Sequence, residues 1–239
     1  MFGKNRVLPP VRVAPDGRYW VQEVFPTLQG EGPWTGWPAV FVRMAGCNLA
    51  CHFCDTDFES STWHPDLHEL TYAIETAAHK CSARRVVITG GEPLRQPLAP
   101  IVNALYNLNL AVQLETAGTL WQTDLEAEGP PLLVCSPKTG TVASGVRRWC
   151  LDYKYIIREG EVGSRGIPDR STQEPGRALN LYYPEEPDCT IWLQPCAEYN
   201  ADGTPDVVRN HHNTQLTVAL CMEHGYRLSL QTHKVVGLR

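Results

Sequence analysis

Three things are scarce in this sequence, and each scarcity closes off a class of function. A basic surplus is missing: 21 lysines and arginines stand against 26 aspartates and glutamates, for a net charge of -5. That balance supplies no cationic surface for a phosphate backbone, so direct binding of nucleic acid is not expected. Long apolar runs are missing from the opening residues Met1 to Trp20, which instead carry Lys4, Arg6, Arg12 and Arg18 among Pro9, Pro10 and Pro15. The expectation is a cytoplasmic protein with neither signal peptide nor membrane span. A paired cysteine framework is missing as well: nine cysteines at irregular spacing fit reduced thiols and metal ligation better than disulfides. What remains is ordinary globular usage, 43% hydrophobic and 20% charged over 239 residues, enough for one large α/β domain that binds a small molecule.

Six of the cysteines, Cys81, Cys135, Cys150, Cys189, Cys196 and Cys221, are scattered and read as small apolar residues. The other three, Cys47, Cys51 and Cys54, fall in GCNLACHFCDTDF with the spacing CxxxCxxC. A structural zinc or an ordinary electron-transfer cluster takes four protein ligands, and this run stops at three. On a four-iron four-sulfur cluster, three thiolates leave one iron open to a cofactor or substrate. The spacing resembles that of the radical S-adenosylmethionine enzymes, in which the open iron chelates the cofactor's amino and carboxylate groups. The plainer alternatives are a zinc site completed by Cys81, His52 or His64, or unrelated buried cysteines. Asp55, Thr56 and Asp57 follow at once; their oxygens suit a hard cation such as magnesium, or a solvated turn.

Along the rest of the chain, apolar strands alternate with helices. Strands are expected at Tyr19 to Phe25, Ala39 to Met44, Arg85 to Thr89, Ala111 to Thr116, Leu132 to Ser136, Tyr153 to Ile157, Cys189 to Leu193 and Arg227 to Leu230. Helices are expected over Asp66 to Lys80, with Asp66 and Glu69 forming a capping pattern, around Leu98 to Leu108, and over Thr214 to His224 before Gly225. Most of these strands run directly into a polar cluster: the cysteine loop, TGGEP, ETAG, SPK, QP and QTHK. In a β/α barrel the carboxyl ends of the strands meet on the catalytic face. The fold class is therefore α/β, an incomplete, open TIM-like barrel with about six main parallel strands. Residues 1–20 form an N-terminal extension to a single domain over 21–239, and the polar stretch 159–177 is a surface loop or insertion.

Taken together, TLQGEG, the cysteine loop ending in CDTDF, TGGEP, ET-G, SPK, QP and SLQTHK resemble the 7-carboxy-7-deazaguanine synthases, radical enzymes of the 7-deazapurine pathway leading to queuosine. The likeness runs in order from about Val21 to Lys234. It implies that Cys47, Cys51 and Cys54 ligate the 4Fe-4S cluster, that Thr56 binds magnesium, and that Phe53 lies along the adenine of S-adenosylmethionine. Gly91, Ser136, Pro137, Lys138, Gln194, Pro195, Cys196 and Ala197 match that cofactor's contacts, and Leu28, Gln29, Gly30, Arg43, Thr89 and His233 the substrate's. The implied reaction turns 6-carboxy-5,6,7,8-tetrahydropterin into 7-carboxy-7-deazaguanine with release of ammonia, in a homodimer fed electrons by a flavodoxin-like protein. The leading twenty residues, the ending VVGLR, the segment Gly163 to Ala178 and the cysteine after QP depart from the pattern. The rivals are an activase that places a glycyl radical on a partner protein and a zinc-stabilised binding module without catalysis.

Overall fold

Short runs of branched and aromatic residues become strands, and the period of two along them decides what each side faces. In the computed structural model, which describes residues 7–11, 15–54, 56–58, 60–127, 129–173 and 180–238, eight strands form one sheet in chain order. They are β1 (Val21–Leu28), β2 (Pro38–Met44), β3 (Arg85–Gly90), β4 (Ala111–Thr116), β5 (Leu132–Cys135), β6 (Asp152–Ile157), β7 (Thr190–Pro195) and β8 (Arg227–Leu228). β1 pairs antiparallel with β2, Phe25 opposite Phe41, and every later neighbour is parallel. β1 and β8 are the two edges, so the barrel is open, with β2 to β7 as its six main parallel strands.

Helices close the outer face. α1 (Leu67–Cys81) starts at a complete capping box, Asp66 accepting from the Glu69 amide and Glu69 reaching back to the Asp66 amide. It buries Leu70, Ile74, Ala77 and Ala78 against β1 and β2. α2 (Ala99–Asn107) lies on β4, and α4 (Val207–His224) on β6 and β7. α3 (Ser144–Trp149) and α5 (Thr232–Val235) are short. α4 begins two turns before the expected Thr214, because Asp206 caps it and the polar Asn210 and Asn213 spend their amides on the backbone carbonyls of Glu198 and Cys196. The last strand stops at Leu228 rather than Leu230. Ser229 makes one further bond to the Leu193 carbonyl, 2.8 Å, and its hydroxyl then accepts the Gly32 amide at 3.1 Å, turning the chain inward.

Val40, Val42 and Met44 of β2, Val86 and Ile88 of β3, Val112 and Leu114 of β4, Tyr153 and Tyr155 of β6, and Leu193 of β7 all belong to one buried apolar core. Each such side chain contributes roughly 1.5–3 kcal/mol by leaving water. The residues between them, Phe41, Arg43, Thr89, Glu115, Lys154 and Gln194, line a cavity inside the sheet. Among the described residues no helix is long and apolar enough to cross a membrane.

Candidate active site

The cavity has a volume of about 360 Å³, within the range of small-molecule sites. One wall is the cysteine loop. β2 ends at Met44, and Gly46 turns the chain with a φ of +79°, its amide donating to the Phe58 carbonyl at 3.0 Å. The TGGEP segment runs directly beneath. A Cβ on Gly91 would lie 2.1 Å from the Gly46 carbonyl oxygen, so only glycine fits there. Glu92 is fully buried and accepts from the Thr116 hydroxyl and from the amides of Leu94 and Ala117. It ties the end of β3 to the end of β4, and burial pushes its carboxyl pKa up. Its place is in the frame of the site rather than in the cavity.

Cys47, Cys51 and Cys54 all face the cavity, together with Phe53, Thr56, Thr89, Gly91, Ser136, Lys138, Gln194, Pro195, Cys196 and Ala197. Lys138 folds onto Ser136, donating to its carbonyl at 3.1 Å and to its hydroxyl, and burial lowers its pKa. The Gln194 side-chain Oε1 is buried without a partner. Among the described residues no three His, Cys, Asp or Glu side chains converge on one metal ion; Asp55 lies outside the described residues. A cubane cluster requires no such convergence, since each thiolate binds a different iron. Three cysteine thiols on one wall, side-chain-free backbone at Gly91 and an orphaned acceptor at Gln194 fit an iron–sulfur cluster with a small-molecule cofactor beside it.

Another part of the lining is charged, and most of it escapes sequence reasoning. Lys154, 6% exposed, projects from β6 between two carboxylates, paired with Glu31 and 3.4 Å from Glu115. Gln29 and Gln113 donate to Glu115 Oε1 at 3.0 and 3.1 Å, and Gln231 donates to Glu31 Oε1 at 2.8 Å. Burial alone would raise the Glu31 pKa, but the adjacent Lys154 cation outweighs it and holds the carboxyl at about 2. The Lys154 pKa rises despite its own burial, because both carboxylates favour the charged form. A lone cation in the alternating run Tyr153–Ile157 was the available signal, since an inward lysine between two core tyrosines must find a counter-charge.

Of the expected substrate contacts, Arg43, Thr89 and His233 reach the cavity, whereas Leu28, Gln29 and Gly30 do not line it, nor does Pro137. Gln29 stands behind the wall, with its side-chain Oε1 accepting the Glu31 amide at 3.1 Å. Gly30 is overlain by His233, whose Nδ1 would lie 2.0 Å from any Cβ there. His233 Nδ1 is buried without a partner, and burial lowers the ring's pKa, favouring the neutral form. Arg43 Nε stands 3.2 Å from Glu23 across the β1–β2 ladder, with the guanidinium over the Phe25 ring. It therefore has a structural partner and a face toward the cavity at once. The described part of 159–177 places buried Thr172 against the cysteine loop, where its carbonyl accepts the His52 amide; residues 174–177, like Arg239 and residues 1–6 and 12–14 of the leading extension, lie outside the described residues.

Comparison with known proteins agrees with this geometry. The family model described as the Radical SAM superfamily matches residues 41–142, and the cofactors of that superfamily, a 4Fe-4S cluster and S-adenosylmethionine, are those the cysteine wall fits. The chain is 45% identical to the 7-carboxy-7-deazaguanine synthase of Rhodospirillum rubrum over 244 residues, covering 100% of both chains. It is 36% identical to that of Rickettsia prowazekii, covering 100% of this chain and 96% of the relative. The crystal structure of QueE from Escherichia coli matches the fold with a TM-score of 0.60 at 24% identity, over 89% of this chain and 93% of that one. Identity of this size across the whole length means that the chain belongs to the 7-carboxy-7-deazaguanine synthase family of radical S-adenosylmethionine enzymes.

Proposed function

We propose that the protein converts 6-carboxy-5,6,7,8-tetrahydropterin to 7-carboxy-7-deazaguanine with loss of ammonia, as a magnesium-dependent step toward queuosine. The observation that carries this reading is one cavity with two unlike parts to its lining: three cysteine thiols beside a glycine cradle, and a buried pair of carboxylates. When bound, the cluster and S-adenosylmethionine supply a carbon radical able to abstract hydrogen, and the chain's own task is placement. Cys47, Cys51 and Cys54 hold the cluster. Phe53, Gly91, Ser136, Lys138 and the stretch Gln194 to Ala197 hold the cofactor, with Pro137 fixing the backbone between two of them.

Elsewhere in the lining, Glu31 and Glu115 are acceptor-only carboxylates, suited to the N–H donors along the edge of a pterin ring. Lys154 and the three glutamines spend themselves on those carboxylates, which fixes their orientation before substrate arrives. Arg43 and Thr89 are placed for the ring's carboxylate and acceptors. Neutral His233 offers one nitrogen as acceptor and one as donor. Thr56, which lines the cavity, would hold a magnesium ion, and that ion when bound would supply positive charge beside a substrate carboxylate. Gln29 and Gly30 act one layer back, Gln29 by holding Glu115 and Gly30 by making room for His233, with Leu28 anchoring the strand end before them.

The working unit in this reading is residues 21–239, a cytoplasmic homodimer reduced by a flavodoxin-like protein, with residues 1–20 as an extension. The test is anaerobic reconstitution with iron and sulfide, followed by incubation with the tetrahydropterin, S-adenosylmethionine, reductant and magnesium. Stoichiometric ammonia and 7-carboxy-7-deazaguanine are expected. A cluster-loaded protein that releases neither overturns the reading.

A further inference from the structure

The cysteine loop is gripped from outside by a segment with no counterpart in the sequence motifs. Thr172 Oγ1 lies 3.0 Å from Cys51 Sγ, and Gln173 Nε2 lies 3.4 Å from the same sulfur. Both donors are held in place. Thr172 is buried, its amide donates to the Lys138 carbonyl at 3.1 Å, and its own carbonyl accepts the His52 amide at 3.2 Å. Gln173 Oε1 accepts the Ala50 amide at 3.0 Å. The threonine hydroxyl has a second possible acceptor, the Lys138 carbonyl at 3.4 Å, but the sulfur is the nearer. Cys47 Sγ, by contrast, receives the Leu49 amide at 3.4 Å.

A cysteine that ligates iron has no proton and carries negative charge, so Thr172 and Gln173 can only donate to it. Reduction brings one electron from an external one-electron donor into the oxidised cluster, with no bond made and no proton moved. The added charge is shared by the ligand sulfurs. Donors aimed at a sulfur bind the more negative state more strongly, which raises the reduction potential. We propose that Thr172 and Gln173 are positioning residues that set the potential of the cluster through Cys51 Sγ, easing its reduction. This rests on Cys51 being a cluster ligand.

The measurement is a mediator-coupled dithionite titration of the anaerobically reconstituted full chain, with the reduced cluster read by electron paramagnetic resonance. Thr172→Val with Gln173→Leu is expected to keep full iron and sulfide content. At a fixed potential, its reduced-to-oxidised ratio should fall about tenfold, a shift of about 59 mV for a one-electron couple. Thr172→Ser, which restores the hydroxyl, should recover most of the ratio. An unmoved midpoint in a fully loaded double variant overturns the proposal, whereas a wild-type chain with no such cluster overturns the ligand assignment instead. Should the double variant fail to load, wild-type protein exchanged into deuterium oxide decides the matter. The reduced cluster is then expected to couple to a hydroxyl deuteron that is absent from Thr172→Ala, and identical spectra would overturn the proposal.

Discussion

The two walls of the cavity meet the cost of burying polar groups in opposite ways. The cysteine wall comes from one stretch, Gly46 to Phe58, and it is unfinished on its own. Burial pushes the Cys47 thiol up to about 12, so its proton leaves only when a metal takes its place. The carboxylate wall is assembled from residues 29, 31, 113, 115, 154 and 231, and it is already complete. Lys154 neutralises one of two charges, and three glutamines donate to the carboxylates and fix their orientation, leaving lone pairs for a bound donor. One wall waits for a bound group; the other is preorganised without one. Substitutions on the first should therefore act on cofactor loading, and those on the second on folding and substrate affinity.

The largest effect is expected where nothing within the protein compensates. Cys51→Ala should lose the brown cluster absorbance and all turnover while unfolding at nearly the wild-type denaturant midpoint; iron and activity retained in that variant would remove Cys51 from the ligand set. Lys154→Met should do the reverse, sparing the cysteines but leaving two buried carboxylates without a cation, at a cost of about 3–5 kcal/mol. The sign of its pH dependence follows from Glu31. A carboxyl held at about 2 in the folded state contributes stability that is whole above its unfolded value near 4.5, and that is lost as pH falls from there toward 2. The gap between wild type and Lys154→Met in urea midpoint should accordingly narrow between pH 7 and pH 3. A gap of constant size would mean that Lys154 acts by packing alone.

Arg43→Ala probes the seam between the walls. Removing a charge-assisted hydrogen bond to the tetrahydropterin should weaken its equilibrium binding by about 1.5–3 kcal/mol, about ten- to a hundredfold in Kd. Wild-type affinity would assign the arginine wholly to its pair with Glu23.

What sequence reveals of the molecule divides along the same line. The strands of the outer core, the capping box at Asp66 and Glu69 and the three cysteines are local patterns, each legible within about fifteen residues. The carboxylate wall has no local pattern: Glu31 and Gln231 meet across 200 residues of chain, and Lys154 looks like an interruption of an apolar strand until β6 is seen to turn one face inward. Thr172 approaches Cys51 across 121 residues, from a run whose polarity indicates solvent rather than the site. α3 is silent in the sequence for a different reason: at six residues it is too short for a 3.6-residue period to emerge.

The smallest effect should come from within the completed wall. Gln113 donates to Glu115 Oε1 at 3.1 Å, but its own side-chain Oε1 is buried with no partner. Gln113→Leu removes a hydrogen bond to a charged group and in the same step removes an orphaned acceptor, two terms of similar size and opposite sign. Glu115 Oε1 keeps the Gln29 amide at 3.0 Å, so the carboxylate is not stranded. The net change in unfolding free energy should fall within about 1 kcal/mol, with substrate affinity nearly unchanged because Gln29 and Lys154 still fix the carboxylate. If the leucine variant instead loses as much stability as Lys154→Met, the glutamine is holding the ion pair together, and the wall is a single cooperative network rather than a pair of carboxylates clamped on one lysine.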